Sequence, residues 1–487
     1  SPNDLINFFN LHHHPNQINQ INQINQINKS KSLSNSNSHK ILKVIRTRCL
    51  GIETIWTLDH HDVKYILSTG FNNFGKSPFF QAGFKELLGN GVFVTDQRGL
   101  WSWHRNLTRP HFAREKISDV LHIEHHSKRL SNWLINQSNL GNPVDVQDLF
   151  ARFTLTVGTQ HLFGSCLDSL DELFNDKLKQ NRNHIDFAEN FANAQHWAIF
   201  YSLIPPFLLK LLRQFGQKDI HTKRVLMIVD ELVEAASQKL ALNSIKLNQS
   251  DHQKSHHEKL TENLLDHLLT SGCSKDLVRY ESLNILLAAR DTTASLLTSC
   301  IYELGRQSSR KLEFWKRLKD EIIQFSSGLD SLLTLDKVRQ MKFLRAILNE
   351  TLRLHPPVWS NSRHAFEDDV LPSGIFIPAG TDCRYFIRQI QRNPEVWGPD
   401  AEEFDPDRWI DHRKVLQSKD PFSFQPFSAG PRICLGQQFA LTEASIALIR
   451  IVEQFNGVDL VENKTNADEV AAVTLSFRGG LKVHFKK

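Results

Sequence analysis

The sequence predicts a mainly α-helical protein with small peripheral β-sheets. Three observations carry this. Most of the chain up to Phe325 reads as helix, with polar connections such as Asn243 to Glu258. Strand signals are short and scattered: Thr54 to Leu58, Ile375 to Ile377, and the stretch Val473 to Val483. No β–α–β alternation and no Gly-x-Gly-x-x-Gly motif occurs, so no flavin or nicotinamide domain is encoded and electrons, if used, come from another protein.

Length allows a large core, in one domain or several, across 487 residues. The 58 Lys+Arg against 53 Asp+Glu leave a net charge of +5, too small an excess for a nucleic-acid footprint. It is compatible with docking an acidic redox partner. The six cysteines (Cys49, Cys166, Cys273, Cys300, Cys383, Cys434) are scattered without Cys-x-x-Cys or zinc spacing, which argues against a disulfide framework and for a reducing compartment. The most apolar segment, Trp197 to Leu212, is too short to span a bilayer and is interrupted by Pro205-Pro206. Two readings of it stand: contact with the bilayer interface, or burial in the core.

Taken in order, residues 1–40 are low complexity, with Asn-Gln-Ile repeating from Asn16 to Ile27, a composition that buries no core and reads as disordered. His12-His13-His14 is either metal-binding or part of the same polar tail. Residues 41–487 have globular texture. A helical stretch, Asp62 to Ser68, and a Gly/Asn-rich loop follow the first strand signal. A long apolar helix spans roughly Leu277 to Leu304 and stops at Gly305.

Near the C-terminal end, Phe427-Ser428-Ala429-Gly430-Pro431-Arg432-Ile433-Cys434-Leu435-Gly436 sets one cysteine in a glycine-bounded loop. The cysteine lies two residues after an arginine and just before a predicted helix, and both favour the thiolate. Thiolate is also the axial ligand that supports O–O cleavage at haem iron. The pattern Phe-x-x-Gly-x-Arg-x-Cys-x-Gly resembles the haem-binding signature of the cytochrome P-450 superfamily, with Phe427, Gly430, Arg432, Cys434 and Gly436 at every fixed position.

Three further motifs occur in that family's order. Glu350 and Arg353, three apart on an amphipathic helix that ends at Pro356-Pro357, share a face and can pair. The resemblance adds Arg408, in Phe404-Asp405-Pro406-Asp407-Arg408-Trp409, and makes the three a structural network supporting haem insertion. Ala288-Ala289-Arg290-Asp291-Thr292-Thr293 places an acid beside a hydroxyl inside an apolar helix, a costly arrangement unless paired or hydrated. It resembles the oxygen-activation segment, with Asp291 and Thr292 as the proton relay; Ala289 stands where the family often has Gly. Trp101-Ser102-Trp103-His104-Arg105 resembles the Trp-x-x-x-Arg helix, making Trp101 and Arg105 haem-propionate contacts. Arg363 and Arg432 join them by the same resemblance, and His104 is a further contact or an ordinary core or surface histidine.

The resemblance covers roughly Ile45 to the C-terminus and implies one large domain with the cytochrome P-450 fold, binding haem b. It implies insertion of one oxygen atom of O2 into a hydrophobic substrate, with electrons from NADPH through a separate reductase, in a monomer on the cytosolic face of the endoplasmic reticulum membrane. The family's anchor and first elements are expected to be missing, since nothing before Ile45 matches. Thr108 to Glu115 and Val144 to Phe150 look most like the fungal alkane- and fatty-acid-hydroxylating branch. Oxidation of a terpenoid, aromatic or xenobiotic, and a truncated non-catalytic haem-binding protein, are the alternatives. Substrate-lining candidates are Phe79, Phe80, Phe84, the stretch Phe187 to Phe207, Leu287, Val358, Trp359 and Phe477, each also a candidate for plain core packing.

Overall fold

One helix, Lys275–Gly305, organises the molecule. This computed structural model describes residues 44–49, 52–96, 98–113, 120–164, 167, 169–174, 186–214, 219–247, 263–306, 309–326, 333–413, 420–465 and 468–487. The expected tail 1–40, with His12 to His14, lies outside the described residues. The central helix starts where Ser274 caps the amide of Leu277 and ends at Gly305, close to the expected Leu277 to Leu304. At about 1.5 Å per residue it is about 46 Å long, enough to thread two separate cores.

Its first half, Val278 to Leu287, packs with Phe84, Leu87, Phe191 and Val225 in one core. Its second half, Ala294 to Leu304, packs in another core with Phe153, Leu344, Leu348, Ile446 and Leu448. Fully buried side chains such as Leu283 and Leu297 each contribute about 1.5–3 kcal/mol. Between the two cores Ala288, Ala289, Asp291 and Thr292 are only half-buried. Asp291 there lines a half-open cavity.

The largest sheet has five strands in the order Val44–Cys49, Ile52–Thr57, Asp382–Tyr385, Asn361–Ala365, Phe74–Gly75. The pairs are antiparallel except Ile52–Thr57 with Asp382–Tyr385. Alternation along Asn361–Ala365 turns Arg363 inward with Ala365. The hairpin strand Val44–Cys49 carries no signal that the sequence reading detected. The segment Val473 to Val483 splits into Leu475–Phe477 and the strand Lys482–Lys486, because Gly479 and Gly480 turn the chain at φ +70° and +83°. The helix expected at Asp62 to Ser68 begins at His60, where Asp59 caps it, and widens into a π-type turn at Tyr65–Thr69. The polar connection expected from Asn243 is helical through Leu247. Pro205-Pro206 divides the apolar segment into the helices Phe187–Tyr201 and Pro206–Gln214. Among the described residues, no helix is long and apolar enough to cross a membrane. Of the described cysteines, Cys273, Cys300, Cys383 and Cys434 are free thiols.

Glu350 sits at the centre of a fully buried polar knot on the helix Lys342–Leu354. Its carboxylate accepts from Arg353 Nε at 2.9 Å and Nη2 at 2.8 Å, from Trp409 Nε1 at 2.9 Å and from the Asp405 amide at 2.9 Å. Arg408 Nε approaches at 3.4 Å. The remaining arginine donors satisfy loop carbonyls: Arg353 reaches Gln391, Ala401 and Glu403, while Arg408 reaches Trp397 and Asp400. The irregular chain from Gln391 to Trp409 is thus held by side-chain donors rather than by a ladder of its own. We predict that Arg353→Ala lowers stability by about 3–5 kcal/mol, because it leaves a buried carboxylate without its main partner; denaturant melts would show an unchanged midpoint if the pair mattered little.

Candidate active site

The loop carrying Cys434 is held by its own backbone. The Cys434 amide donates to Phe427 O at 2.9 Å, and the Ile433 amide to Gly430 O at 3.0 Å. Gly430 adopts φ +68°, and a Cβ there would lie 2.0 Å from the carbonyl oxygen of Leu67, so only glycine fits. Gly436 differs: its φ of −85° suits any residue, and a Cβ would meet Phe112 only at 3.5 Å. That Cβ would also stand 4.0 Å from Cys434 Sγ, so the missing methyl keeps the approach to sulfur clear. Phe427 is half-buried against the core. The helix Gln437–Gln454 follows immediately, with Gly436 at its N-cap.

Cys434 is accessible to solvent-sized spheres, yet burial pushes its thiol above the ordinary range. Both hold for a sulfur lining an interior space. The amide of Gly436 and the charge of Arg105 pull partly back toward the thiolate. The sequence reading named the loop's own arginine as the nearby cation; the structure replaces it. Arg105, on the helix Trp101–Thr108, reaches Ile433 O at 2.8 Å beside the sulfur. Arg432 points away, donating to Thr95 O at 2.8 Å with its guanidinium 4.5 Å from the Trp101 ring. Burial thus opposes the thiolate here, and a bound metal cation would favour it.

Cations crowd the rim of this space. Arg432 is pushed down to about 9 by burial and by Arg363, with Asp96 pulling back. Lys76 is held well below its ordinary value by burial, then by Arg363 and Arg432. Arg363 is 2% exposed and spends donors on Asn361 Oδ1 and Ser362 O. The Nε atoms of Arg363 and Arg432 are buried without partners. Mutually repelling, desolvated cations with idle donors call for an anionic ligand. A planar macrocycle with two carboxylates at one edge and a metal that takes a thiolate matches this donor set, so haem fits.

The half-buried stretch of the central helix supplies Asp291 and Thr292. Thr292 Oγ1 donates to Ala288 O at 2.7 Å. Asp291 Oδ1 accepts from Arg290 Nη1 at 2.8 Å, while Oδ2 is buried without a partner. Ala289, at the position where Gly was the alternative, turns toward the helix Val146–Phe163; a Cβ on Gly158 would meet its methyl at 3.5 Å. His104 is neither free nor at the rim: it pairs with Glu281 at 2.5 Å, both at most 1% exposed, tying the Trp101–Thr108 helix to the central one.

The sequence of this chain is matched by the cytochrome P450 family profile over residues 14–476. The chain belongs to the cytochrome P450 family. It is 35% identical over 436 residues to cytochrome P450 52A9 of Candida maltosa, covering 84% of this chain and 77% of that protein. It is 35% identical over 431 residues to cytochrome P450 52A6 of Candida tropicalis, covering 84% and 76%. It is 30% identical over 444 residues to cytochrome P450 monooxygenase FPY7 of Fusarium mangiferae, covering 89% and 79%. A cytochrome P450 uses haem b with electrons from a redox partner, generally NADPH through a reductase, and incorporates oxygen from O2 into a hydrophobic substrate. The chain is accordingly an oxidoreductase of the monooxygenase class. The non-catalytic alternative is not favoured.

The substrate-lining set divides. Phe84, Phe187 and Phe477 are core residues, with Phe477 packed on Tyr302 at 4.7 Å. Phe79, Phe80, Val358 and Trp359 are half-buried, and Leu287 borders Ala288. Phe207 is on the exterior.

Sequence reasoning missed Lys76 and Glu443. Each had one signal: a lone charge in an apolar run, Phe74-Gly75-Lys76-Ser77-Pro78-Phe79-Phe80 and Ala440 to Leu448. Glu443, on the helix behind Cys434, is fully buried, and neither of its oxygens has a partner in good geometry. Burial raises its carboxyl well above the usual range, the Thr293 hydroxyl pulling partly back. A carboxyl raised in the fold binds its proton more tightly there than in the unfolded chain, so stability falls as pH rises above about 4.5. Glu443→Gln should match the parent below that pH and gain on it above, by up to about 1.4 kcal/mol per pH unit until the acid ionises. Parallel melts across pH 4–8 check this; equal slopes would refute it.

Proposed function

We propose that this enzyme hydroxylates a saturated hydrocarbon chain, an alkane or a fatty acid, at a haem whose iron is held by Cys434. The observation that carries the ligand assignment is Cys434 itself, exposed yet with its thiol raised by burial, in a loop that the close approach of Leu67 restricts to glycine at Gly430 and that Arg105 reaches at Ile433 O. Lys76, Arg363 and Arg432, with Trp101 and Arg105 beside them, would hold the propionates. Phe427 packs beside the loop, and Glu350, Arg353 and Arg408 hold the segment that leads into it. The bound haem supplies the oxygen activation. The chain's own part is to seat the substrate against the central helix and to supply protons: Asp291, with one carboxylate oxygen unpartnered, would carry them, and Thr292, whose hydroxyl donates to Ala288 O, stands beside it on the helix. The segments that resemble the fungal alkane- and fatty-acid-hydroxylating branch, and the likeness to the yeast 52A proteins, support the lipid substrate.

The enzyme with reductase and NADPH should oxidise alkanes or fatty acids in preference to terpenoids and aromatics, as read by product mass spectrometry. Cys434→Ser should lose the red-shifted Soret band of the reduced carbon-monoxide complex; an intact band would falsify the thiolate assignment.

Membrane contact is the second part of the reading. Leu203, Phe207, Leu208, Leu211 and Leu212 are 39–79% exposed on and beside the helix Pro206–Gln214, with Lys210 and Arg213 interleaved. Core burial takes only Leu209. An apolar patch flanked by cations suits the interface of a bilayer, in accord with the endoplasmic reticulum face expected from the family. Phe207→Asp with Leu211→Asp should weaken flotation with liposomes by about tenfold while leaving haem content unchanged; equal flotation would remove this patch as the contact.

A further inference from the structure

Asp291 lines a half-open cavity of about 210 Å³ set between the central helix, the helix Phe187–Tyr201 and the hairpin segment 472–476. The helix Phe187–Tyr201 adds Ala192, Gln195 and His196 to its lining. Among the side chains lining this cavity, only His196, Arg290 and Asp291 are ionisable. The hairpin adds Ala472, Val473, Thr474, Leu475 and Ser476, none of them charged, and the neighbouring helix adds Gln147 and Ala151. Charges on the elements around it are paired: Arg152 with Asp148 and Asp186 at 3.1 and 2.7 Å, and Glu469 with His355 at 2.6 Å and with Arg388.

Three buried polar atoms of the residues lining this cavity have no partner: Asp291 Oδ2, Gln195 Nε2 and Arg290 Nε. Successive residues on a helix diverge by about 100°, so the acid and the Thr292 hydroxyl cannot share one direction. The hydroxyl is taken by Ala288 O, and the acid faces the cavity. Arg290 sets this orientation. It holds Asp291 Oδ1 at 2.8 Å and anchors itself to Ala188 O at 3.2 Å, on the helix that bears His196. Arginine does not release its proton at neutral pH, so it orients without relaying.

His196 is an exposed residue, yet burial lowers its imidazole from the ordinary value, Asp291 opposing this and Arg290 adding to it. Exposure together with this burial places it at the cavity mouth. A neutral imidazole there accepts a proton from bulk water and gives one up inward.

We propose that this cavity is the entry route for the protons of the reaction and that His196 loads Asp291 through it. The proposal rests on the monooxygenase reading above. Each substrate oxidised consumes O2, two electrons from NADPH and two protons, and yields one hydroxylated product and one water. For each proton, the imidazole nitrogen forms an N–H bond as an O–H bond of hydronium breaks. The N–H bond then breaks as an O–H bond forms at Asp291 Oδ2, over cavity water, and the neutral imidazole returns. His196 and Arg290 act through Asp291 and are positioning residues.

The test uses the full chain with haem and reductase. His196→Gln keeps a polar side chain of similar reach but carries no proton. Product formed per NADPH consumed should fall by about tenfold, the solvent deuterium isotope effect on product formation should rise, and the carbon-monoxide band should be unchanged. Ala192→Phe, which fills the cavity without altering His196, should do the same. In the haem-free chain, the infrared carboxylate band assigned through Asp291→Asn should shift as His196 titrates, and the shift should vanish in His196→Gln. A coupling ratio and isotope effect unchanged in both variants would overturn the route. So would an Asp291 band indifferent to His196, a result that holds whatever the substrate is. Failure of the parent enzyme to oxidise any lipid, with the infrared coupling intact, would count against the substrate reading alone.

Discussion

The carboxylate of Glu350 is the interaction on which the rest of the active-site framework depends. It gathers two arginines, an indole and a backbone amide in a region sealed from water. Those arginines in turn hold carbonyls of the segment Gln391 to Trp409, which has little regular structure to hold it otherwise. The cysteine loop begins only after this segment ends. A buried ion cluster of this kind contributes little net stability against a well-packed apolar one. What it contributes is a single arrangement of an irregular chain, because every donor has one acceptor it can reach.

The central helix plays the complementary part. Its ends are locked in two cores, so its middle can be left uncovered without fraying. The cations at the rim have no such support. Burial and the charge of Arg363 hold Lys76 and Arg432 below their ordinary values, and burial opposes the Cys434 thiolate. A ligand bearing carboxylates and a metal cation would satisfy both at once. Binding of such a ligand is therefore coupled to the stability of the fold.

How much of this was legible in the sequence depended on the distance over which each feature is encoded. The cysteine loop, the Glu350 and Arg353 pair and the boundaries of the central helix are written in spacings of a few residues, and the structure places them as read. Arg408 needed the order of motifs as well as spacing. Features made by meetings across the fold were not readable: that Arg105 rather than Arg432 attends the sulfur, that His104 is buried on Glu281, that Lys76 joins the cation group. Glu443 and Lys76 did announce themselves as lone charges in apolar runs, yet such a run does not say which neighbour it packs against. Gly430 and Gly436 look alike in the motif, and only the carbonyl of Leu67 separates the one that must be glycine.

The apolar edge at Leu203 to Leu212 continues directly from the helix that walls the site. A hydrocarbon partitions into lipid far more than into water, so a bilayer contact at this edge, as proposed above, would set its local concentration by its mole fraction in the lipid. Selectivity among chain lengths would then combine two ratios, the preference of the pocket and the partition coefficient of each chain. Assays in detergent report the first without the second, and rank substrates differently from membranes for that reason alone.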